Sequence, residues 1–456
     1  MGMERMRFLA VMIGLFLLVC IVFAPGCALL GVGKQRERAE SLGRVRGSVR
    51  VEPASDSPIV VVLGRASGGV DDINPDTGKR AGYVVDHYRL ERAGTFAFLV
   101  SAGTFRLIAF ADENANLTYD PGEPVLDDQP VFEIHPGERL DDVELVIPQG
   151  KTLDQRYDIA ALQARAPIDQ ENFSLGRFTV KGDVVKLDDP KFGAASGSMG
   201  MWRFADFLFE VGPGVYFLEK YDPKKIPVLF VHGISGYPQQ FETLIAKLDR
   251  KRFQPWFYFY PSGFHLDGIA LHLTTIITEL QARHDFEKLA VVAHSMGGLV
   301  SRAFLYEYAK TTGRSDLRLF VAISSPWGGS ESAAKIGNAP EGFVVYSWLD
   351  MNPNSPFLKG LFYTPPDYKR PRPLPDDISF HMIFGYRRKE GSLGPSGDGT
   401  LTVKSEARIE AIEAARSVLP LDYDHVSILR SPEAVARLNR ILADTFGDGR
   451  LHLGGN

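Results

Sequence analysis

The chain has 456 residues, which is long enough for two or three domains and a sizeable core. Hydrophobic residues make up 45% of it and charged residues 23%, the composition of an ordinary globular protein. The formal net charge of −5 gives no reason to expect a nucleic-acid partner or strong attraction to an anionic membrane surface.

The N-terminus has the pattern of an export signal. Arg5 and Arg7 precede an apolar run over residues 8–24, and Cys27 follows. The string A-P-G-C resembles a bacterial lipobox, in which the cysteine becomes the lipidated first residue of the mature protein. We therefore predict a lipoprotein of the bacterial cell envelope, anchored in a membrane through Cys27. Ordinary secretion and an uncleaved N-terminal anchor are the alternatives, since the run is close to the lower length limit for a membrane span.

Composition divides the rest of the chain into four segments. Residues 28–43 are polar and charged and are predicted to be a tether. Short apolar runs separated by Gly, Pro, Asp and Asn predict a small β-sandwich over residues 44–148. The calcium-loop-like turn within it resembles those of Ig-like or prealbumin-like β domains. Residues 149–175 are predicted to be a polar connector. Residues 176–450 are predicted to form an α/β domain, because strand and helix patterns alternate there.

The α/β segment contains a series of periodic runs. Strand hairpins are predicted around residues 178–187 and 204–219. After them, the predicted strands are Pro227–Val231, Pro255–Tyr260, Leu289–Ala293, Leu317–Ile323 and Ile378–Phe384, and the predicted helices are Pro238–Leu248, Leu266–Gln281, Met296–Tyr308, Ala407–Ala415 and Pro432–Thr445.

The most informative stretch reads L-A-V-V-A-H-S-M-G-G-L-V-S over residues 289–301. An apolar run ends at Ala293, Ser295 follows, and a helical pattern begins after it. This is the pattern of a nucleophile elbow, with small residues at Ala293 and Gly297 on either side of the serine. Small residues are needed there because the turn is strained and the strand and helix pack closely around it. Ser295 is therefore the predicted nucleophile.

A serine hydroxyl needs a base to take its proton, and the base needs an acid to orient it. Three histidines follow Ser295 in the chain. His381 lies within a predicted strand and His452 within the last few residues. His425, in a polar loop ahead of the final helix, is the predicted base.

The acid should follow a strand and precede the base in the chain. Asp398 lies in a glycine-rich loop after the predicted strand 378–384, which makes it the predicted acid. A simple Asp-Gly turn would also explain this stretch. The competing carboxylates are Asp376, Asp377, Asp422 and Asp424.

Attack on a carbonyl produces an oxyanion, which needs backbone N–H donors. The residue after the nucleophile, Met296, supplies one predicted donor at the positive end of a helix. The string P-V-L-F-V-H-G-I-S-G-Y after an earlier strand predicts the N–H of Ile234 as the second. His232 and His294 are predicted to be structural.

The strings V-H-G-I-S-G and A-H-S-M-G-G-L-V resemble those of the lipase and esterase side of the α/β-hydrolase superfamily, in particular small bacterial lipases and inositol-deacylase-like serine esterases. The resemblance covers about residues 224–446 and implies an α/β-hydrolase fold, a mostly parallel sheet flanked by helices. It also implies cleavage of an ester or lipid-like substrate through an acyl-enzyme, without a catalytic metal or organic cofactor. Acyl transfer and amide cleavage use the same triad. A non-catalytic envelope binding protein on a hydrolase scaffold is the alternative from another functional class.

Residues 327–375 occupy the place where such enzymes insert a lid. The segment is rich in aromatic and apolar residues and has no clean period. Two interpretations stay open: it covers an acyl-binding cleft, or it packs against the core.

The β segment contains a loop with oxygen-bearing side chains at the spacing of an EF-hand calcium loop. The sixth position is Leu117 instead of glycine, and the flanking residues have strand patterns. A structural calcium ion, without a catalytic role, and a solvated turn are the two interpretations. The predicted ligands are Asp112, Asn114, Asn116, Asp120 and Glu123.

Overall fold

The computed structural model of the protein describes residues 31–66, 83–164, 173–336, 343–387 and 396–447. The predicted export signal and the predicted lipidation site Cys27 lie outside these ranges, as does His452. Within the ranges, no helix has both the length and the hydropathy that crossing a membrane requires.

Two β-sheets with a shared hydrophobic core make up the first part of the chain. Their strands, with one separate pair formed by β6 and β10, are β1 (Gly43–Glu52), β2 (Ile59–Arg65), β3 (Tyr83–Leu90), β4 (Gly94–Val100), β5 (Gly103–Ala111), β6 (Thr118–Tyr119), β7 (Val125–Leu126), β8 (Phe132–Ile134), β9 (Arg139–Pro148) and β10 (Tyr157–Asp158). One sheet has the order β4-β1-β9 and the other the order β3-β2-β5-β7, with β8 also pairing with β5. Val45 and Val49 of the first sheet share a core with Val61 and Leu107 of the second, so the two sheets pack face to face.

A larger sheet with helices on both faces makes up the second part. Its strands are β11 (Val180–Val184), β12 (Gly214–Phe217), β13 (Ile226–Val231), β14 (Phe253–Phe259), β15 (Leu289–His294), β16 (Leu317–Ile323), β17 (Ser379–Gly385) and β18 (Ser417–Leu421). The helices of the described chain are α1 (residues 31–40), α2 (Ile159–Ala164), α3 (Leu175–Phe178), α4 (Ala194–Trp202), α5 (Phe204–Glu210), α6 (Glu242–Ala246), α7 (Leu266–His284), α8 (Met296–Thr312), α9 (Glu331–Ile336), α10 (Tyr346–Asp350), α11 (Pro356–Gly360), α12 (Val403–Glu406), α13 (Ile409–Ala414) and α14 (Pro432–Phe446).

The order of the strands positions the candidate site. It is β11-β12-β14-β13-β15-β16-β17-β18, and all neighbours run parallel except β12 and β14. β15 is buried on both faces, with Val291 in one core cluster and Val292 in the other. Because parallel strands end at the same edge of the sheet, the loops after β13, β15, β17 and β18 all emerge there.

The described part of the predicted tether, residues 31–43, differs from the prediction, because residues 31–40 form helix α1. Val32, Gln35, Arg36 and Ala39 recur at helical spacing and face the rest of the protein. Val32 is fully buried in a cluster with Met201, Phe204 and Tyr346. The polar composition misled the prediction, since the buried face of the helix is itself largely polar.

The two predicted hairpins are also wrong. Residues 178–187 contain the single strand β11, which pairs in parallel with β12. Residues 204–219 contain helix α5 before β12. The apolar residues Phe204, Ala205, Phe207 and Leu208 of α5 are all buried, and Phe207 belongs to a different core cluster from Phe204 and Ala205. A short apolar run fits a strand as well as a buried helix, so its period alone did not decide between them.

We predict that Gln35→Ala destabilises the folded protein by about 1–3 kcal/mol. The Gln35 side chain is buried; its oxygen accepts the N–H groups of Ala205 and Asp206, and its amide donates to the Asp206 carboxylate at 3.0 Å. Its loss leaves two N–H groups in the first turn of α5 without a partner. Chemical denaturation measures the effect, with Glu37→Ala on the exposed face of α1 as the control. Equal midpoints for the two variants would contradict the prediction.

Candidate active site

Ser295 lies at a sharp turn between β15 and α8. Its backbone has φ 55° and ψ −131°, a conformation that non-glycine residues rarely adopt. The Ser295 N–H donates to the carbonyl of Ile323 on the neighbouring strand at 2.9 Å. The turn therefore places the side chain of Ser295 at the carboxyl edge of the sheet, where the loops converge.

Two glycines permit the close packing around this turn. A Cβ atom on Gly297 would lie 2.4 Å from the His232 carbonyl oxygen and 2.5 Å from that of Val231. A Cβ atom on Gly233 would lie 2.6 Å from the Cβ of Ser295 and 3.1 Å from its Oγ. The loop after β13 thus runs directly beside the hydroxyl of Ser295.

Ser295, His425 and Asp398 form a continuous chain of hydrogen bonds. The Ser295 hydroxyl lies 2.9 Å from Nε2 of His425, and Nδ1 of His425 lies 2.5 Å from Oδ2 of Asp398. A carboxylate only accepts, so Nδ1 of His425 carries a hydrogen and Nε2 is free to accept the serine proton. The three residues that the sequence predicted for nucleophile, base and acid are therefore brought together by the fold.

Asp398 is held as an ionised group. Burial raises its pKa, but the hydrogen bond from His425 and the N–H groups of Leu401 and Thr400 outweigh that effect, so the pKa lies below its ordinary value. Oδ1 accepts those two N–H groups at 2.7 and 2.9 Å. The aspartate is thus part of a turn, as the alternative interpretation expected, and still presents Oδ2 to His425.

Other carboxylates near the predicted base are occupied elsewhere. Asp424 accepts the N–H groups of Val426 and Ser427. Asp422 lies 3.4 Å from the guanidinium of Arg387. At the opposite edge of the sheet, where β16 and β17 begin, Asp377 pairs with Arg318 and Asp376 is exposed.

The predicted structural histidines hold the surrounding loops. His294 Nε2 donates to the carbonyl of His425 at 2.8 Å, and burial, with the nearby His425, lowers the pKa of His294 to about 3. His232 Nδ1 donates to the carbonyl of Gly233 at 2.7 Å, and burial lowers its pKa to about 4. His381 lies between the hydroxyls of Ser379 and Ser417, away from Ser295 in the sheet.

The two predicted oxyanion donors lie on either side of Ser295. Met296 is the first residue of α8 and is fully buried, which places its N–H at the positive end of that helix. Ile234 follows Gly233, whose backbone lies against the serine side chain. Both donors stay predictions.

Several apolar residues of the predicted lid segment are packed against the core of the protein. Trp327, Met351, Leu361 and Phe362 are buried in the same core cluster as Met296. Tyr346 and Trp348 of α10 contact a second cluster that includes α1, and the Trp348 ring lies 5.5 Å from that of Trp202. Ser295 is 6% exposed and His425 8% exposed, so only a small face of the site reaches solvent.

The predicted calcium loop is closed by its own hydrogen bonds. Asp112 accepts the N–H groups of Asn116 and Leu117, and Glu123 accepts those of Glu113 and Asp120. The side-chain amides of Asn114 and Asn116 donate to Asp120. A cation would need both amides to present oxygen in place of nitrogen. The calcium site stays a prediction.

Comparison with known proteins agrees with the fold and the site described above. Residues 265–339, which include the elbow, match the model of a family described as an alpha/beta hydrolase of unknown function. The mostly parallel sheet and the helices on its faces agree with that match. The chain has the α/β-hydrolase fold. No curated protein is similar to it in sequence.

Several solved structures are similar to this α/β-hydrolase fold. The lin2722 gene product of Listeria innocua shares 17% identity and a TM-score of 0.38, with 49% of this chain and 96% of that one covered. The mature form of Bacillus licheniformis lipase BlEst2 shares 17% identity and a TM-score of 0.34, over 49% and 94% of the two chains. Aspergillus fumigatus lipase B shares 18% identity and a TM-score of 0.39, over 51% and 56%.

Sequence reasoning missed one ionisable residue beside Asp398. Glu406, the last residue of α12, is fully buried, and the Asp398 carboxylate is among the groups that shift its pKa. A lone glutamate in a polar stretch is usually a surface residue, so the sequence carried no signal for it.

We predict that Gly297→Ala lowers stability and slows any reaction of Ser295, although alanine favours a helix by up to about 1 kcal/mol. The added methyl group would press on two backbone carbonyls, and overpacking costs about 1–3 kcal/mol. Gly268→Ala in α7 is the matched control, because nothing lies within 4 Å of its added Cβ. Denaturation midpoints and the labelling rate of Ser295 by a fluorophosphonate measure both effects. A Gly297→Ala protein as stable and reactive as Gly268→Ala would contradict the packing argument.

Proposed function

We propose that the protein is an exported, lipid-anchored serine hydrolase that cleaves carboxylic esters through an acyl-enzyme intermediate. The observation that carries this proposal is the hydrogen-bonded chain from Ser295 through His425 to Asp398 at a strained elbow. A serine, a histidine and a carboxylate joined in this way are what nucleophilic acyl transfer by a serine requires, and their order along the sequence, Ser295, Asp398, His425, is that of α/β hydrolases.

Each member of the chain has one task in the proposed reaction. His425 Nε2 accepts the proton of Ser295 as its oxygen attacks the ester carbonyl. The N–H groups of Met296 and Ile234 stabilise the negative oxygen that forms. His425 then gives the proton to the departing alcohol, while Asp398 holds the tautomer with hydrogen on Nδ1. Water, activated by His425, hydrolyses the acyl-enzyme in the same way and frees Ser295.

The surroundings of the site favour an uncharged, lipid-like or aryl ester as the substrate. Ile234, next to Gly233, and Trp348 are partly buried apolar side chains that pack against the same two core clusters. The neighbouring His232 and His294 are kept neutral by burial. An acyl chain would therefore meet apolar contacts, and a carboxylate or phosphate would find no charged histidine among these two.

Acyl transfer and amide cleavage are the alternatives for the same triad, and products formed in the presence of a competing alcohol or an amide substrate separate them. A non-catalytic envelope binding protein is the alternative from another class. The intact hydrogen-bonded chain disfavours it, because a protein that only binds does not need an activated serine.

We predict that a fluorophosphonate forms one covalent adduct, detected by intact mass on protein lacking residues 1–27. Ser295→Ala abolishes the adduct and ester turnover. His425→Ala and Asp398→Asn slow both by roughly 10³–10⁴-fold, because the base or its tautomer is lost. Circular dichroism checks that each variant is folded. Turnover retained by folded Ser295→Ala would refute the assignment. A folded wild-type protein that is not labelled, even in mild detergent, would favour the binding-protein alternative.

For the anchor, we predict that the full-length protein incorporates a labelled fatty acid in an expressing bacterium and that Cys27→Ser does not. The substitution removes the thiol that would carry the acyl chains. Cys20→Ser, within the apolar run, is the matched control and keeps the label. A wild-type protein that stays with the membrane without the label would favour an uncleaved N-terminal anchor, and release of the wild-type protein would favour ordinary secretion.

A further inference from the structure

Glu406 is a buried carboxyl group that forms no ion pair with any residue of the described ranges. Its residue is 0% exposed, and neither carboxyl oxygen has a hydrogen bond of normal geometry within the described part of the chain. Burying an ionised carboxylate without a partner is costly, so such a group either finds a cation or keeps its proton. The nearest arginine in the chain, Arg408, pairs with Glu410 instead.

The polar groups around Glu406 belong to the candidate active site. The Asp398 carboxylate, the Ser324 hydroxyl and the Gly385 N–H all lie close enough to shift its pKa. Ser324 follows β16, Gly385 ends β17, and Asp398 follows β17. The short helix α12, with Thr402 as its N-cap, carries Glu406 to the point where these loops meet. Glu406 is therefore enclosed by the same edge of the sheet that presents the triad.

We propose that Glu406 is neutral in the folded protein and donates its carboxyl hydrogen to Asp398, as a positioning residue for the triad. The inference rests on the proposed function in one respect: Asp398 is taken as the acid that orients His425. Two neighbouring buried carboxyl groups cannot both be ionised at little cost, whereas a proton on one of them allows a hydrogen bond to the charged other.

The balance of charge favours the proton on Glu406 over Asp398. Asp398 already accepts hydrogen bonds from His425, Leu401 and Thr400, all of which stabilise its ionised form. Burial, followed by the charge of Asp398, raises the pKa of Glu406 from its ordinary value of 4.5 to about 9. The pair then carries one negative charge, on the residue that faces His425.

A neutral Glu406 would do two things for the triad. It would fix the rotation of the Asp398 carboxylate, whose Oδ2 must point at Nδ1 of His425. It would also leave Asp398 as the single negative group facing His425 from this side, since Asp424 faces the N–H groups of Val426 and Ser427. An ionised Glu406 would instead repel Asp398 and loosen that hydrogen bond.

The test compares Glu406→Gln, which keeps a neutral donor of the same shape, with Glu406→Ala, which removes it. Glu413→Gln, exposed on α13, is the control for the change in net charge. We expect Glu406→Gln to keep kcat within about threefold of wild type at pH 7, and Glu406→Ala to lose roughly tenfold in kcat with KM unchanged, the effect of one lost hydrogen bond to a charged group. Above about pH 9 the wild-type kcat should fall, and that of Glu406→Gln should not.

Stability against pH tests the protonation state without any substrate. The pKa of Glu406 is higher in the folded state than in the unfolded state, so the unfolding reaction releases a proton at any pH between 4.5 and about 9. Over that range the unfolding equilibrium constant of the wild type should rise relative to Glu406→Gln by up to tenfold per pH unit. Above about pH 9 the ratio of the two unfolding equilibrium constants should no longer change with pH. A ratio that does not change with pH would mean that Glu406 is ionised in the folded protein and would overturn the proposal.

The positioning role has its own signature in the low-field proton signal of His425 Nδ1–H, which is assigned by its loss in His425→Gln. We expect the signal to keep its position in Glu406→Gln and to move in Glu406→Ala. A wild-type signal in Glu406→Ala, together with wild-type kcat, would overturn the positioning role. If Glu406→Ala does not fold, a tenfold or greater loss of kcat in Glu406→Gln at pH 7 overturns it. If the wild type is not labelled by a fluorophosphonate, the proposed function fails, and the stability and proton measurements still decide the state of Glu406.

Discussion

The strained backbone at Ser295 is the constraint on which the arrangement of this protein depends. A non-glycine residue at φ 55° costs on the order of 1–3 kcal/mol and persists only where the surroundings hold it in place. Here the Ser295 N–H donates a hydrogen bond to the Ile323 carbonyl. Gly233 and Gly297 pack so closely around the turn that neither position has room for a Cβ atom. The strand, the helix and the loop after β13 are thereby locked around one hydroxyl group.

Burial gives the three histidines near that hydroxyl different roles. His232 and His294 have lowered pKa values, and each donates a hydrogen bond to a carbonyl that holds a loop. His425 alone among them has a carboxylate at Nδ1, since Asp398 lies 2.5 Å away. His425 therefore differs from the structural histidines in two ways: its Nδ1–H donates to a carboxylate, and its Nε2 is free to accept the Ser295 proton. The role of His425 as a base therefore depends on the position of the Asp398 carboxylate.

The elements next to the nucleophile were predictable because their patterns are strong. The run 289–293 is a continuous buried strand, and the predicted strand 317–323 has the bounds of β16. Ser295, Asp398 and His425 could be chosen from the order of strands and loops alone. Helices α1 and α5 could not be predicted in this way. Helix α1 buries Gln35 and Arg36 against other polar groups, and helix α5 is too short for its period to exclude a strand. Glu406 was invisible, because nothing local separates a buried glutamate from an exposed one.

By itself, the sequence determined the class of the fold, the position of the elbow and the identity of the serine, histidine and aspartate, since periodicity and the steric demands of a tight turn are local properties. Only the tertiary structure decided that α1 packs beside α5 and α10, that Trp327, Met351, Leu361 and Phe362 join the core, and that Glu406 is fully buried near Asp398. These contacts join residues far apart in the chain. Their free energies come from burial and hydrogen bonding, which depend on what surrounds a residue and not on its neighbours in sequence.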